Sequence, residues 1–176
     1  MKALINCVGV VPIGSVLDVS ENEWEKTFNV SFMSAVRLIK AFVPFMKKEG
    51  GSVVLINGVF AIQPDPHFVV SAAMTGALRN FAKAISKDLV QYGIRVNSIL
   101  PGATKTKLWD SIAIRLGEKL HISAEKLSTN VAESNPQKRL AHPSEIAHAV
   151  KFLCSDEASY INGTSMTLDG GASLAM

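Results

Sequence analysis

Two periodicities divide the 176-residue chain. A short, unbroken apolar run at Val53–Ile56 has the pattern of a strand covered on both faces by helices, and Ala3–Val8 and Ile94–Leu100 also read as buried strands. A last, shorter strand is predicted at Ser165–Leu168. Between them the spacing is helical. Ser20 followed by Glu23 is a capping box, opening a helix that turns Trp24 and Phe28 inward. A second helix, Ser31–Met46, carries Phe32, Val36, Ile39 and Val43 on one stripe, with Pro44 loosening its last turn. Gly50-Gly51 then ends it and leads into the next strand. Ser71–Leu89 keeps Leu78, Phe81, Ala82, Ile85 and Leu89 on one side, with small residues in its first turns. Leu108–Leu120 and Glu145–Leu153 complete the helices, Pro143-Ser-Glu starting the last. The polar stretch from Leu120 to Lys138 shows no clear period. Val10–Asp18, with Pro12 and Gly14, is a loop, as is Ile-Gln-Pro-Asp-Pro-His before Phe68. Strands alternating with helices predict an α/β fold on a parallel sheet. Pro101-Gly102 is expected to stop the ladder, at a strand's carboxyl end, where open parallel sheets place ligands.

Composition narrows the function classes. Hydrophobic residues make up 48% of the chain and charged residues 19%, enough apolar content for one substantial core. The formal net charge of +3 is spread out, so no nucleic-acid partner is expected. Cys7 and Cys154 form neither a disulfide framework nor a metal site and are expected to be buried thiols. His121, His142 and His148 lie on polar segments without ligand spacing, and no metal is expected. No apolar run approaches the roughly 20 residues of a membrane span, and the N-terminus lacks signal-peptide character. A cytoplasmic protein is expected.

Five stretches then fall in a recognisable order. Leu4-Ile-Asn-Cys-Val-Gly9 ends the first strand, and Trp24-Glu-Lys-Thr-Phe-Asn-Val-Ser31 opens the helical region. Arg95-Val-Asn-Ser-Ile-Leu-Pro-Gly-Ala-Thr-Lys-Thr106 spans the third strand and its loop. Arg139-Leu-Ala-His-Pro-Ser-Glu-Ile-Ala147 and Gly163-Thr-Ser-Met-Thr-Leu-Asp-Gly-Gly171 close the chain. From Leu4 to Gly171 this order resembles the short-chain dehydrogenase/reductase family. The resemblance implies a Rossmann-like doubly wound sheet, an NAD(P)-dependent oxidoreductase activity, and a mobile substrate lid beyond Thr106. Residues 1–176 then read as a single partial domain, running from the family's fourth strand to its C-terminus.

The family moves a hydride between nicotinamide and a carbonyl or alcohol carbon, with a Tyr phenol exchanging the proton. A Lys lowers that phenol's pKa and holds the ribose, a Ser polarises the carbonyl, and an Asn orders a water. The resemblance sets these four positions at Ser71 (Tyr), Thr75 (Lys), Gly58 (Ser) and Ser31 (Asn), so all four are substituted. An aliphatic hydroxyl is a far weaker acid than a phenol of reference pKa about 10. Thr75 has no charge to lower a neighbour's pKa, and Gly58 has no side-chain donor. Losing one positioned acid costs roughly 100- to 10,000-fold, so impaired catalysis is expected. His67, Asp65 and Asn57 share the region with Ser71. Asp65 and His67 flank Pro66 in a rigid turn and no Gly-x-Ser-x-Gly elbow surrounds Ser71, so a polar loop capping the helix at Phe68 is favoured over a hydrolase site.

The family's Gly-rich phosphate loop has no counterpart in the chain, and the resemblance implies that one βαβαβ half is missing. Asn6, Gly9, Pro101, Gly102, Thr104 and Thr106 remain as cofactor-binding positions, able to meet the nicotinamide end. NAD or NADP is expected if an amino-terminal half is present and no cofactor otherwise. The first strand is left as an apolar edge prone to association. Family members pair through two long helices, so a homo-oligomer through the helices near 31–46 and 71–89 is expected. Three readings stand: a catalytically impaired oxidoreductase homologue, an active oxidoreductase using His67, Asp65 or Ser71 as an unusual acid, and an interaction module. In the last, the helix Leu108–Leu120, with Trp109 exposed, docks a partner.

Overall fold

The computed structural model describes residues 2–174; the ends of the expected domain, residue 1 and residues 175–176, lie outside the described residues. Four strands, β1 (Ala3–Asn6), β2 (Gly51–Ile56), β3 (Ile94–Pro101) and β4 (Ser165–Leu168), form one sheet in the order β1-β2-β3-β4. All three pairings are parallel, so every strand ends at the same edge of the sheet. Parallel neighbours need crossovers, and helices supply them. These are α1 (Glu21–Thr27) and α2 (Met33–Phe42) between β1 and β2, and α3 (Val69–Leu89) between β2 and β3. Beyond β3 come α4 (Lys107–Leu120), α5 (Ala124–Ser134) and α6 (Pro143–Cys154).

Successive β2 side chains point to opposite faces. Val53 and Leu55 pack with Ala35 and Ile39 of α2, with Val43 just beyond it, and with Leu78 and Ala82 of α3. Val54 faces the other way, toward Leu153 of α6. Both sets are fully buried, which explains the unbroken apolar run in the sequence. On β1, Leu4 joins the α2–α3 side while Ile5 remains 42% exposed.

Several boundaries differ from those the sequence predicts. β1 stops at Asn6, so Cys7 lies beyond it and is exposed rather than buried. Glu21 to Phe45 is one continuous helical run of 25 residues. A π-turn, Phe28–Phe32, joins α1 to α2, and a 3-10 turn holds Pro44 at the end. By length and composition this run could cross a membrane, contrary to the expectation that no such segment exists. Here it packs Ala35, Ile39 and Val43 onto the sheet and leaves most of its remaining residues at least partly exposed. α3 begins at Val69 rather than Ser71, and Phe68 ahead of it makes no side-chain cap. Pro101 does not stop the ladder. It pairs with Leu168, and the Gly102 N–H continues the pattern by donating to the Leu168 carbonyl at 3.0 Å. α5 was not foreseen in the polar stretch; Ser123 caps it and Leu127 buries its inner side.

Candidate functional site

Three loops leave the carboxyl ends of β1, β2 and β3, and the residues singled out in the sequence lie on them or beside them. After β1, Asn6 is 2% exposed and turns inward. Its Oδ1 accepts the Val8 N–H at 3.0 Å, while its Nδ2 is buried with no partner. Gly9 faces open space, for a Cβ there would meet only Ser31 Oγ, at 3.8 Å. Ser31 sits in the π-turn, a feature that recurs at functional sites. Its hydroxyl accepts the Val10 N–H at 3.1 Å and so pins the β1–α1 loop to the helix.

After β2 the chain brings Asn57, Gly58, Ser71 and Thr75 together. Asn57 Nδ2 donates to the Thr75 carbonyl at 2.9 Å, leaving its buried Oδ1 without a partner. A Cβ on Gly58 would lie 3.5 Å from Thr75 Cγ2, an ordinary contact. Thr75 Oγ1 donates back to the Ser71 carbonyl at 2.7 Å, so its proton is committed to the helix. Ser71 is 3% exposed and its Oγ has no partner. Asp65 Oδ1 accepts the His67 backbone N–H at 2.7 Å. No hydrogen bond links the His67 ring to Asp65 or Ser71 among the described residues, so no acid–base–nucleophile relay is assembled. The polar loop therefore caps itself through Asp65, not α3 as expected.

After β3, the Thr104 hydroxyl donates to the Gly102 carbonyl at 3.0 Å. Thr106 is the N-cap of α4, its Oγ1 accepting the Trp109 N–H at 3.2 Å. Gly102 owes its small size to packing, because a Cβ would come within 2.9 Å of Asp169 Cβ. Thr104 and Thr106 thus shape the loop, and Pro101 and Gly102 tie it to β4.

The helix α4 buries one apolar side and leaves Leu108, Ile114 and Leu120 exposed, at 46%, 52% and 40%. Ile112, Ala113 and Leu116 are buried against Phe68, with Leu127 of α5 and half-buried Val11, Ile13 and Phe60 around them. Trp109 is half-buried, and its Nε1 donates to Ser128 Oγ at 3.1 Å. Two polar ties at the rim went unnoticed in the sequence: Arg115 Nη2 donates to the Val11 carbonyl at 2.7 Å, and Lys119 pairs with Asp18. The hydrogen bond from Lys119 is the main cause that holds the Asp18 carboxyl down to about 2, with Ser15 adding to it. Surface charges such as these have no periodic signature, and only the fold shows that the helix reaches the β1–α1 loop.

Comparison with known proteins agrees with this architecture. The family model described as Enoyl-(Acyl carrier protein) reductase matches residues 1–173. The chain is 33% identical over 173 residues to Oxidoreductase UcpA of Salmonella typhimurium, covering 97% of this chain and 65% of that protein. It therefore spans somewhat less than two thirds of that relative. Among solved structures, L-sorbose reductase from Gluconobacter frateurii, complexed with NADPH and L-sorbose, is similar at 29% identity and TM-score 0.90, over 99% of this chain and 67% of that one. An NADPH-bound short chain oxidoreductase from Pseudomonas aeruginosa, containing an atypical catalytic center, is similar at 25% identity and TM-score 0.87. The match covers 99% of this chain and 66% of that one. With its parallel sheet, its ordered motifs and these relatives, the chain belongs to the short-chain dehydrogenase/reductase family of oxidoreductases.

Proposed function

We propose that this chain is an oxidoreductase homologue that has lost the family's proton-transfer chemistry and retains a binding cleft. The observation that carries the reading is the state of the two hydroxyls on α3. Thr75 spends its proton on the Ser71 carbonyl, and Ser71 is a buried alcohol whose Oγ has no hydrogen-bond partner, hence no bonded base to take its proton. A neutral alcohol in that setting neither donates nor accepts a proton at useful rates near neutral pH. Gly58 leaves no side-chain hydroxyl to polarise a carbonyl, and Ser31 is engaged with Val10.

The residues present fit only part of a dinucleotide. The open space over Gly9 and the loop Pro101–Thr106 suit the flat nicotinamide end, which Asn6, Gly9, Pro101, Gly102, Thr104 and Thr106 would hold. A bound nicotinamide would supply hydride chemistry. No Gly-rich turn opens any of the described helices to cradle a pyrophosphate, so the chain alone should hold NAD or NADP weakly. The free thiols Cys7 and Cys154 suit a reducing compartment such as the cytoplasm. The apolar outer faces of the helices near 31–46 and 71–89 suit a homo-oligomer.

The test is NADPH and NADH consumption with a panel of aldehydes and ketones, by the chain and by its Ser71→Tyr/Thr75→Lys variant. The expected result is no turnover above blank for the chain and little for the variant. Steady turnover by the unmodified chain would overturn the proposal. A second reading draws on the Pseudomonas aeruginosa oxidoreductase, whose catalytic center is atypical. Under it, turnover exists and depends on His67, Asp65 or Ser71. Alanine at each in turn then abolishes activity, and activity unchanged in all three removes that reading.

A further inference from the structure

The segment 137–140 brings the chain back from α5, and it runs beside the loop that leads into α4. The Lys105 N–H donates to the Ala141 carbonyl at 2.9 Å, and the Ala141 N–H to the Ala103 carbonyl at 3.0 Å. Between this return, α4 and α5 lies an open groove of about 510 Å³. Its apolar part is Trp109 with Ala132 and Leu140, all half-buried. Trp109 is anchored, since it packs on the buried cluster of α4 and α5 and its Nε1 donates to Ser128 Oγ at 3.1 Å. Ser128 accepts that bond, so its own O–H remains a donor.

Three cations border the groove, and they are not equivalent. Arg139 is spent: both terminal nitrogens donate to Glu145 at 2.7 Å, so it brings its stem and no net charge. Lys138 uses one ammonium donor on the Glu133 carbonyl at 2.7 Å, in the last turn of α5, and keeps two more. Lys105 is exposed and forms no ion pair among the described residues. One carboxylate, Asp110, stands against these two lysines, which leaves an excess of one positive charge. Lys138 is also held where a lysine rarely sits. Its φ is 56°, and among the other described non-glycine residues only His121 has a positive value. Its N–H closes the turn onto the Asn135 carbonyl at 2.8 Å. A glycine would make that turn without strain, so the turn gives no reason for a lysine. Left-handed residues other than glycine gather at ligand clamps.

We propose that this groove binds a small planar aromatic carboxylate, its ring on Trp109 and Leu140 and its anionic end on Lys105 and Lys138. An indole already fixed by Ser128 offers a stacking surface at little entropic cost. One carboxylate matches the excess of one positive charge, whereas a phosphate dianion would exceed it and meet the Asp110 carboxylate. An anion without a ring would have only the screened attraction of exposed charges, which is weak. A ring without a charge would leave both ammonium groups unused. None of the groove's residues is among the four substituted positions or the cofactor-binding positions. The site is therefore separate from the candidate cleft and does not rest on the proposed function.

The test is equilibrium binding, followed by Trp109 fluorescence in a Trp24→Phe background, which leaves one of the chain's two tryptophans. Benzoate is expected to saturate the signal, with acetate, benzyl alcohol and phenyl phosphate all weaker. Lys105→Gln should weaken benzoate by roughly 2- to 5-fold, the range for exposed charge pairs. Lys138→Gly should weaken it by a similar factor while the melting temperature holds or rises, because glycine accepts the positive φ. Asp110→Asn should tighten benzoate binding, a gain that a general loosening of the fold cannot produce. Four results would each overturn the proposal: no saturation by benzoate, acetate or benzyl alcohol bound as tightly as benzoate, phenyl phosphate bound more tightly, or affinity unchanged in all three variants. Binding is the readout, so turnover, or its absence, bears on the proposed function alone.

Discussion

Gly76 and Gly102 look alike in the sequence, each a glycine close to a candidate site residue, yet their surroundings assign them opposite roles. Gly76 lies inside α3 with no atom near the position its Cβ would take. A helical glycine without a steric reason costs backbone entropy, so Gly76→Ala is expected to raise stability by about 0.5–1 kcal/mol. At Gly102 the same substitution would press against Asp169, whose Cβ and Cα stand 2.9 and 3.0 Å from the new carbon. Backbone just after β4 has to move, and overpacking of this kind costs about 1–3 kcal/mol. Urea unfolding of both variants checks the pair, and two shifts of the same sign would contradict the geometry. Ser71 and Thr75 teach the same lesson at the site. Their identities were legible in the sequence, but the buried, unpartnered Ser71 Oγ and the back-bonded Thr75 hydroxyl depend on neighbours that spacing does not reveal.

Elements whose pattern is dense were legible, and those stabilised by scattered contacts were not. β2 and β3 announce themselves because both faces are buried, and α3 because its stripe is long. α5 was missed because Leu127 is its single fully buried residue, with only Ala124 and Val131 beside it and polar residues in between. The π-turn was missed because one extra residue in a turn barely disturbs a helical stripe. α6 was foreseen from Pro143-Ser-Glu, and its start is held by a reciprocal cap. The His142 side chain accepts the Ser144 N–H, and Glu145 accepts the His142 N–H at 2.7 Å. Arg139 donates to both Glu145 oxygens at 2.7 Å, and chiefly for that reason the Glu145 carboxyl falls from 4.5 to about 2. A depressed carboxylate stabilises the fold above its unfolded value, and the contribution is lost as pH falls through the folded value. Thermal melts of the chain should therefore lose stability between about pH 4.5 and 2 in part through this group. In Glu145→Gln the loss over that window should be smaller, with a lower melting temperature at neutral pH. A pH dependence identical to that of the unmodified chain would show that the Arg139–Glu145 pair makes no contribution.

At the scale of the whole molecule, two apolar surfaces remain without a cover among the described residues, and they make different predictions. One runs along the outer side of the helices. Phe28 stacks on Phe32 at 5.5 Å, Phe32 meets the edge of Phe81 at 5.4 Å, and Phe28 and Phe45 are 42% and 69% exposed. The other is β1, paired only with β2 and exposing Ile5 on the α6 side of the sheet, at the edge beyond that helix. An aromatic row on rigid helices buries large area at low entropic cost. A four-residue strand, by contrast, offers few hydrogen bonds to a neighbour and associates less specifically. The proposed homo-oligomer should therefore form through the helices. In sedimentation velocity across a concentration series the chain is expected to sediment as a dimer or larger. Phe28→Asp should shift it toward monomer, since one desolvated charge in an apolar contact is strongly unfavourable, whereas Ile5→Lys should leave the assembly unchanged. If Ile5→Lys alone dissolves it, association runs through the open edge of the sheet. The helix row would then be an exposed patch awaiting a different partner.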